Sequence, residues 1–245
     1  MDILPGTKEP SSVCKPCVEG KHICTPIPKE TSTCTNTVLG CIFSDVWGLA
    51  TVTTPSKEQY YVLFIDDKSC QICVSLIKNK SNTFAEYKYF VTKAKNETGA
   101  QIKALWTDGG GEYGSKDFKA YLKEKGQKHE LTNPDTPPEN GIAECANGYI
   151  MGHAQSMLHD SRLPKALWGH AVQHAIHIHN ITPSRALPGN ITPHEAYFGQ
   201  KPDLSLLHIF GCKAHVQVPA KYCDKLDAHS IECVYLSYSE TKKAY

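Results

Sequence analysis

Between Gln59 and Asp66 the chain runs Tyr60-Tyr61-Val62-Leu63-Phe64-Ile65 without a polar break. A strand alternates its side chains between two faces. One that is apolar on both must be covered on both, so this run predicts a strand inside a sheet that carries helices on each side.

The neighbouring segments fit that plan. Leu39 to Val46 is apolar and leads through Asp45 to Trp47-Gly48. Gln71 to Ile77 follows the turn Asp67-Lys68-Ser69, which gives three strands in an antiparallel meander. Ser81 is a candidate N-cap for a helix through Phe84, Tyr87, Lys88, Val91 and Ala94, closed by Gly99. Gln101 to Trp106 is the fourth strand, broken by Asp108-Gly109-Gly110-Gly111. Ser115 starts a second helix that ends at Gly126, and Lys128 to Leu131 is a short fifth strand. A proline-dense loop from Asn133 to Gly141 precedes a helix from Ile142 to about Asp160. Pro164 opens another helix, Lys165 to Ile181, and Thr192-Pro193 opens a short one. Beyond Pro202 the pattern changes to short β-like runs, His208 to Val218 and Glu232 to Tyr238. The order predicts an α/β fold, a mixed five-stranded sheet with flanking helices. The expected organisation is an irregular leader over 1–35, the core over 36–202 and a small β unit over 203–245.

Composition narrows the classes. No run of 18 apolar residues exists, so no membrane span is expected. Met1 to Pro10 has no apolar core of signal-peptide length, which argues against secretion. Eleven cysteines are then expected as reduced thiols of the nucleus or cytoplasm, some of them available to metal. The net charge of +1 does not announce a polyanion partner. From Lys78 to Lys128, however, eleven lysines stand against six acids and no arginine. That stretch is either the solvated face of amphipathic helices or a diffuse phosphate-facing patch.

Three acids fall where strands end or a helix begins: Asp45, Asp108 and Glu144, with 35 residues between the last two. Mg2+ and Mn2+ prefer oxygen ligands, and a pair of them about 4 Å apart needs carboxylates converging from different elements. Singly each acid has an ordinary role, as a turn former, a helix-start acid or a cap. The combination with its flanking residues is what carries weight.

Ser44-Asp45-Val46-Trp47-Gly48, Phe64-Ile65-Asp66-Asp67, Thr107-Asp108-Gly109-Gly110-Gly111-Glu112-Tyr113, Thr136 to Glu144 and Leu163-Pro164-Lys165-Ala166-Leu167-Trp168 resemble, in order, the integrase core of copia-type LTR retrotransposons. The resemblance implies a ribonuclease-H-like fold and an integrase that trims cDNA ends and joins them to host DNA. It implies Asp45, Asp108 and Glu144 as the catalytic, metal-binding acids, holding two Mg2+ or Mn2+ ions. Asp66 and Asp67 match a familiar word without matching a catalytic position, and are expected to be structural. Asn140, Gly141, Asn147 and Lys116 are candidate nucleic-acid contacts. Expected partners are the element's cDNA ends and target DNA, with RNA a further candidate, and a homo-oligomer formed on DNA. Phe210-Gly211-Cys212 and Leu236-Ser237-Tyr238-Ser239 resemble the small SH3-like β-barrel that follows the core in such polyproteins. The resemblance implies a piece of a longer product.

Cys14-Lys15-Pro16-Cys17 resembles half of the family's His-His-Cys-Cys zinc module, so Cys14 and Cys17 are candidate Zn2+ ligands. His170, His174 and His177 share one helix face, which is either a chelating set or an ordinary polar face. The sequence also departs from the family. Gly109 stands where Asn is usual, Cys145 and Gly148 where basic residues are usual, Pro138 and Glu139 in place of glutamines, and Cys70 where Arg is common. These changes remove cations from the expected DNA face. Two alternatives therefore stand beside an active integrase: a catalytically inactive nucleic-acid-binding remnant, and a ribonuclease-H-type nuclease.

Overall fold

The computed structural model describes residues 35–131, 141–205, 207–224 and 228–237. The expectations placed on the leader, on Cys14 and Cys17, and on Asn140 in the proline-dense loop lie outside these residues.

The first strand is β1 (Cys41–Gly48), followed by β2 (Tyr60–Asp66) and β3 (Ile72–Ile77). Helix α1 (Thr83–Thr98) leads to β4 (Ala104–Thr107), and α2 (Lys116–Glu124) leads to β5 (Lys128–Leu131). The strands form one sheet in the order β3-β2-β1-β4-β5. β1 pairs antiparallel with β2 and parallel with β4, and β5 is parallel to β4. The predicted mixed sheet is therefore present, with β1 at its centre.

The apolar run of β2 divides as its alternation requires. Tyr61, Leu63 and Ile65 enter one core, with Phe43, Ile150, Trp168 and Val172. Val62 and Phe64 enter the other, with Ile42, Tyr87, Phe90, Leu105 and Phe118. Helices α1 and α2 cover the second face. Two long helices, α3 (Gly141–Ser161) and α4 (Trp168–Ile181), cover the first. Each fully buried Leu, Ile, Val or Phe on these faces contributes about 1.5–3 kcal/mol.

Several helix ends follow the predicted signals. Ser115 caps α2 by accepting the Phe118 N–H at 3.1 Å, and Thr192 caps α5 (Pro193–Phe198) by accepting the Glu195 N–H at 3.0 Å. Gly99 closes α1 with φ 72°. Ser81 differs from expectation. It lies in a 3-10 turn over Lys80–Asn82, and Asn82 is the N-cap of α1.

The C-terminal part is a hairpin of β6 (Lys213–Gln217) and β7 (Ser230–Val234). It is anchored to the first core through buried Phe210, with Leu236 packed alongside. Gly211 makes the approach close. Its φ is +80°, and a Cβ there would stand 2.3 Å from the Ser161 Cβ at the end of α3. No helix among the described residues is long and apolar enough to cross a membrane.

His174 lies in this contact and departs from the polar-face reading. It is 3% exposed, between Phe210 and Tyr235, each with its ring centre 5.7 Å away. Burial, and secondly His177, lower its pKa from 6.5 to about 4. The folded protein therefore binds fewer protons here than the unfolded chain between these values. The stability from His174 is complete above pH 6.5 and is lost as pH falls toward 4. A His174→Phe variant should lack roughly 3 kcal/mol of the wild type's acid-linked loss, measured by urea unfolding across that window. Parallel pH profiles in the two proteins would refute this.

Candidate active site

The parallel β1–β4 register runs toward the first two acids. Cys41, Ile42 and Phe43 pair in parallel with Ala104, Leu105 and Trp106. The same offset, continued two residues past the last pair, would set Asp45 opposite Asp108, which lies just beyond β4. Asp45 shares its strand face with Cys41 and Phe43, and Asp108 continues the face of Ala104 and Trp106. This is the face on which α3 and α4 pack. Glu144 stands in the first turn of α3. Asp45 is half-buried, while Asp108 and Glu144 are exposed.

Electrostatics couple Asp45 to the other two acids. The Asp45 pKa is raised, first by burial and then by Asp108, with a smaller contribution from Glu144. Two hydrogen bonds oppose the rise. The Val46 N–H donates to Asp45 Oδ1 at 2.8 Å, and Asn147 Nδ2 donates to Oδ2 at 2.7 Å. Asp108 is held in a tight turn, its Oδ1 accepting the Gly110 N–H at 3.0 Å. Gly109, between them, has φ +73°, a conformation glycine adopts at little cost.

Asn147 was expected to contact nucleic acid. It is buried, one helical turn beyond Glu144, with its amide N–H engaged by Asp45. Its Oδ1 is buried without a partner, as is the Tyr61 hydroxyl, whose pKa burial and Asp45 raise. An Asn inside a helix carries no sequence signal for such a role; only its spacing of three from Glu144 hints that the two share a face. Gly141 is the first residue of α3 and is half-buried; Lys116 is exposed at the start of α2.

Asp66 and Asp67 stand apart from these acids. Asp66 is 2% exposed and accepts the Leu39 N–H at 2.7 Å, the Ser69 N–H at 2.8 Å and the Ser69 hydroxyl at 2.6 Å. Asp67 accepts the Thr35 N–H at 2.6 Å. Both serve the β2–β3 turn and the approach to β1.

Asp45, Asp108 and Glu144 are hard-oxygen donors of the chemical kind that suits Mg2+ or Mn2+. The set is open: among the described residues no three His, Cys, Asp or Glu side chains stand close enough to form a metal-ligand cluster. That holds for the α4 histidines as well.

Much of the lysine-rich stretch belongs to α1 and α2, on the sheet face away from α3. Lys80 pairs with Glu112, Lys93 with Glu97, Lys125 with Glu124 and Lys128 with Glu130. On α3 itself, Cys145 is a half-buried free thiol and Gly148 is exposed. A Cβ at Gly148 would meet nothing within 4 Å, so packing does not exclude a larger side chain there.

Comparison with known proteins adds relatives. Residues 212–245 match the family described as retroviral polymerase SH3-like domain. The chain is 37% identical over 208 residues, 85% of its length, to the retrovirus-related Pol polyprotein from transposon TNT 1-94 of Nicotiana tabacum. It is 28% identical over 232 residues, 95% of its length, to that from transposon RE2 of Arabidopsis thaliana. It spans only 16% of the length of either relative. Among solved structures, the HTLV-2 integrase catalytic core domain in complex with magnesium matches 64% of this chain and 95% of its own at 22% identity, with a TM-score of 0.46. The simian T-cell lymphotropic virus intasome in complex with PP2A regulatory subunit B56 gamma matches 84% of this chain and 70% of its own at 13% identity. Its TM-score of 0.55 marks a shared fold.

Proposed function

We propose, from the premise that this chain is homologous to one segment of the retrovirus-related Pol polyproteins of plant transposons and is built on an integrase fold, that it is a metal-dependent polynucleotidyl transferase. Its reactions would be 3′-end processing of retroelement cDNA and strand transfer into target DNA. The observation that supports this reading is the electrostatic coupling of Asp45 to both Asp108 and Glu144, just past the parallel β1–β4 pairing.

Asp45, Asp108 and Glu144 would hold two Mg2+ or Mn2+ ions. Bound there, such a pair supplies activation of an attacking hydroxyl and stabilisation of the leaving oxygen at phosphorus. The chain's own part is positional. β1 carries Asp45, the turn after β4 carries Asp108, and α3 carries Glu144. Asn147 orients Asp45 through its Oδ2. The glycines after Asp108 leave room for a DNA backbone to approach. The partners are DNA ends and target DNA, engaged by an oligomer and acting where genomic DNA is, in the nucleus. Cys14 and Cys17 remain the candidates for a separate Zn2+ site.

One observation favours a second reading, a catalytically silent nucleic-acid-binding remnant. Beside Glu144, helix α3 presents Cys145 and Gly148 in place of cations. The purified chain, given Mn2+ and labelled oligonucleotide ends, should nick or join DNA, and Asp108→Asn should abolish both products. Equal silence of the two folded proteins would sink the transferase reading. Cleavage confined to the RNA strand of hybrids would point instead to a ribonuclease-H-type nuclease.

A further inference from the structure

Asp108 lies just beyond the ladder that holds β4. The last β1–β4 pair is Phe43 with Trp106, and the last β4–β5 pair is Thr107 with Leu131. Three glycines follow it, the residues least able to fix a backbone by themselves. Something else must keep Asp108 in register with Asp45.

We propose that the buried hydrogen bond between the hydroxyls of Ser44 and Tyr113 is that fastening, which makes both of them positioning residues for divalent-cation binding. The inference rests on the transferase reading above. Ser44 directly precedes Asp45 on β1, and its side chain points to the opposite sheet face. Tyr113 ends the 3-10 turn Gly111–Tyr113 that closes the glycine segment. Both residues are 0% exposed, and their oxygens are 2.7 Å apart. The turn is short and internally bonded, with the Tyr113 N–H donating to the Gly110 carbonyl at 3.0 Å. Displacement of Tyr113 is thus transmitted to Gly110, whose N–H holds the Asp108 carboxylate. Packing of the Tyr113 ring on Phe118, 5.7 Å between centres, sets the depth of the turn without fixing its register. The directional hydroxyl pair supplies the register, and it joins the residue beside Asp45 to the loop that carries Asp108. The Lys80–Glu112 ion pair is a second tether on the same turn.

A matched control exists in the same molecule. The Tyr87 hydroxyl donates to Gln127 Oε1 at 2.8 Å, also buried, near the other end of β4. Mn2+ affinity should be measured by isothermal titration on the wild type, Tyr113→Phe, Ser44→Ala, their double variant and Tyr87→Phe. Loss of groups that orient metal ligands weakens metal binding about 10- to 100-fold, so Tyr113→Phe and Ser44→Ala should each fall in that range. The double variant should bind no more weakly than the worse single one, because both remove the same bond. Tyr87→Phe should bind like the wild type, although it loses a comparable buried hydrogen bond. Wild-type affinity in folded Tyr113→Phe, or an equal loss in Tyr87→Phe, overturns the inference and leaves the transferase reading intact. A wild type that binds no Mn2+ overturns both.

Discussion

Replacing Asp45 by Asn should reduce Mn2+-dependent strand transfer by at least about a thousandfold and, in the absence of metal, make the protein more stable. The two effects have one origin. Asp45 carries a charge in a half-buried position, beside Asp108 and within reach of Glu144, and burial and both neighbours raise its pKa. A carboxyl whose folded pKa lies above its unfolded value of 3.8 contributes stability in acid that is lost as pH rises through the folded value. At neutral pH the ionised group therefore opposes folding. The amide removes that charge while its carbonyl oxygen can still accept from Asn147. After discounting for solvent screening, the gain should be on the order of 1 kcal/mol at pH 7, and it should shrink toward zero near pH 4. Urea unfolding at both pH values, in chelator, checks this. A variant less stable than the wild type at pH 7 would show that burial and the neighbouring acids do not disfavour the Asp45 charge as described.

The opposite outcome is expected at Asp66. Its carboxylate is also buried, and burial raises its pKa despite the hydrogen bonds from Ser69 and Leu39. Removing it strands those donors: two N–H groups and a hydroxyl inside the protein. Each buried neutral donor left unsatisfied costs about 1–3 kcal/mol, so the three together, offset in part by relief of the buried charge, should cost Asp66→Ala about 3–5 kcal/mol. For a chain of this size the loss corresponds to a melting temperature lower by roughly 10 °C. Mn2+ affinity of the folded fraction should not change, because Asp66 stands away from Asp45 and its neighbours. A loss below about 1 kcal/mol would mean that water replaces the carboxylate readily. The contrast separates two kinds of buried acid in one sheet, one kept for its bonds and one held in an unfavourable setting.

The sheet was legible because its signals are local. Tyr60 to Ile65 has one pattern and one sensible home, and Gly99, Ser115 and Thr192 mark helix ends by their own chemistry. The acids drew notice through their flanking residues; Asp108 follows a strand and Glu144 opens a helix as expected, but Asp45 lies inside β1 rather than at its end, because pairing with β2 runs on to Gly48. What escaped depends on residues distant in sequence. Asn147 reads as an indifferent helical residue until α3 is laid across β1, and then its amide is 2.7 Å from Asp45. Ser44 and Tyr113 are 69 positions apart, and neither announces the other. His174 was read on its own helix as part of a polar face. The C-terminal segment supplies Phe210 and Tyr235 and turns that position into core. The boundary errors have the same character. Ser81 and Asn82 are both plausible caps, and only the extra 3-10 turn decides between them.

The three acids are not held alike. Asp45 is paired inside the sheet, whereas Asp108 lies just past the last β1–β4 pair, on a turn that its own carboxylate fastens. The third is delivered by a helix from outside the sheet, tied back to Asp45 by one amide at Asn147. A small roll or slide of that helix would alter the reach of Glu144 and, through Asn147, the orientation of Asp45, while Asp108 stays on its own turn. Repacking beneath α3 would thus move Glu144 and Asp45 together and leave Asp108 where its turn holds it.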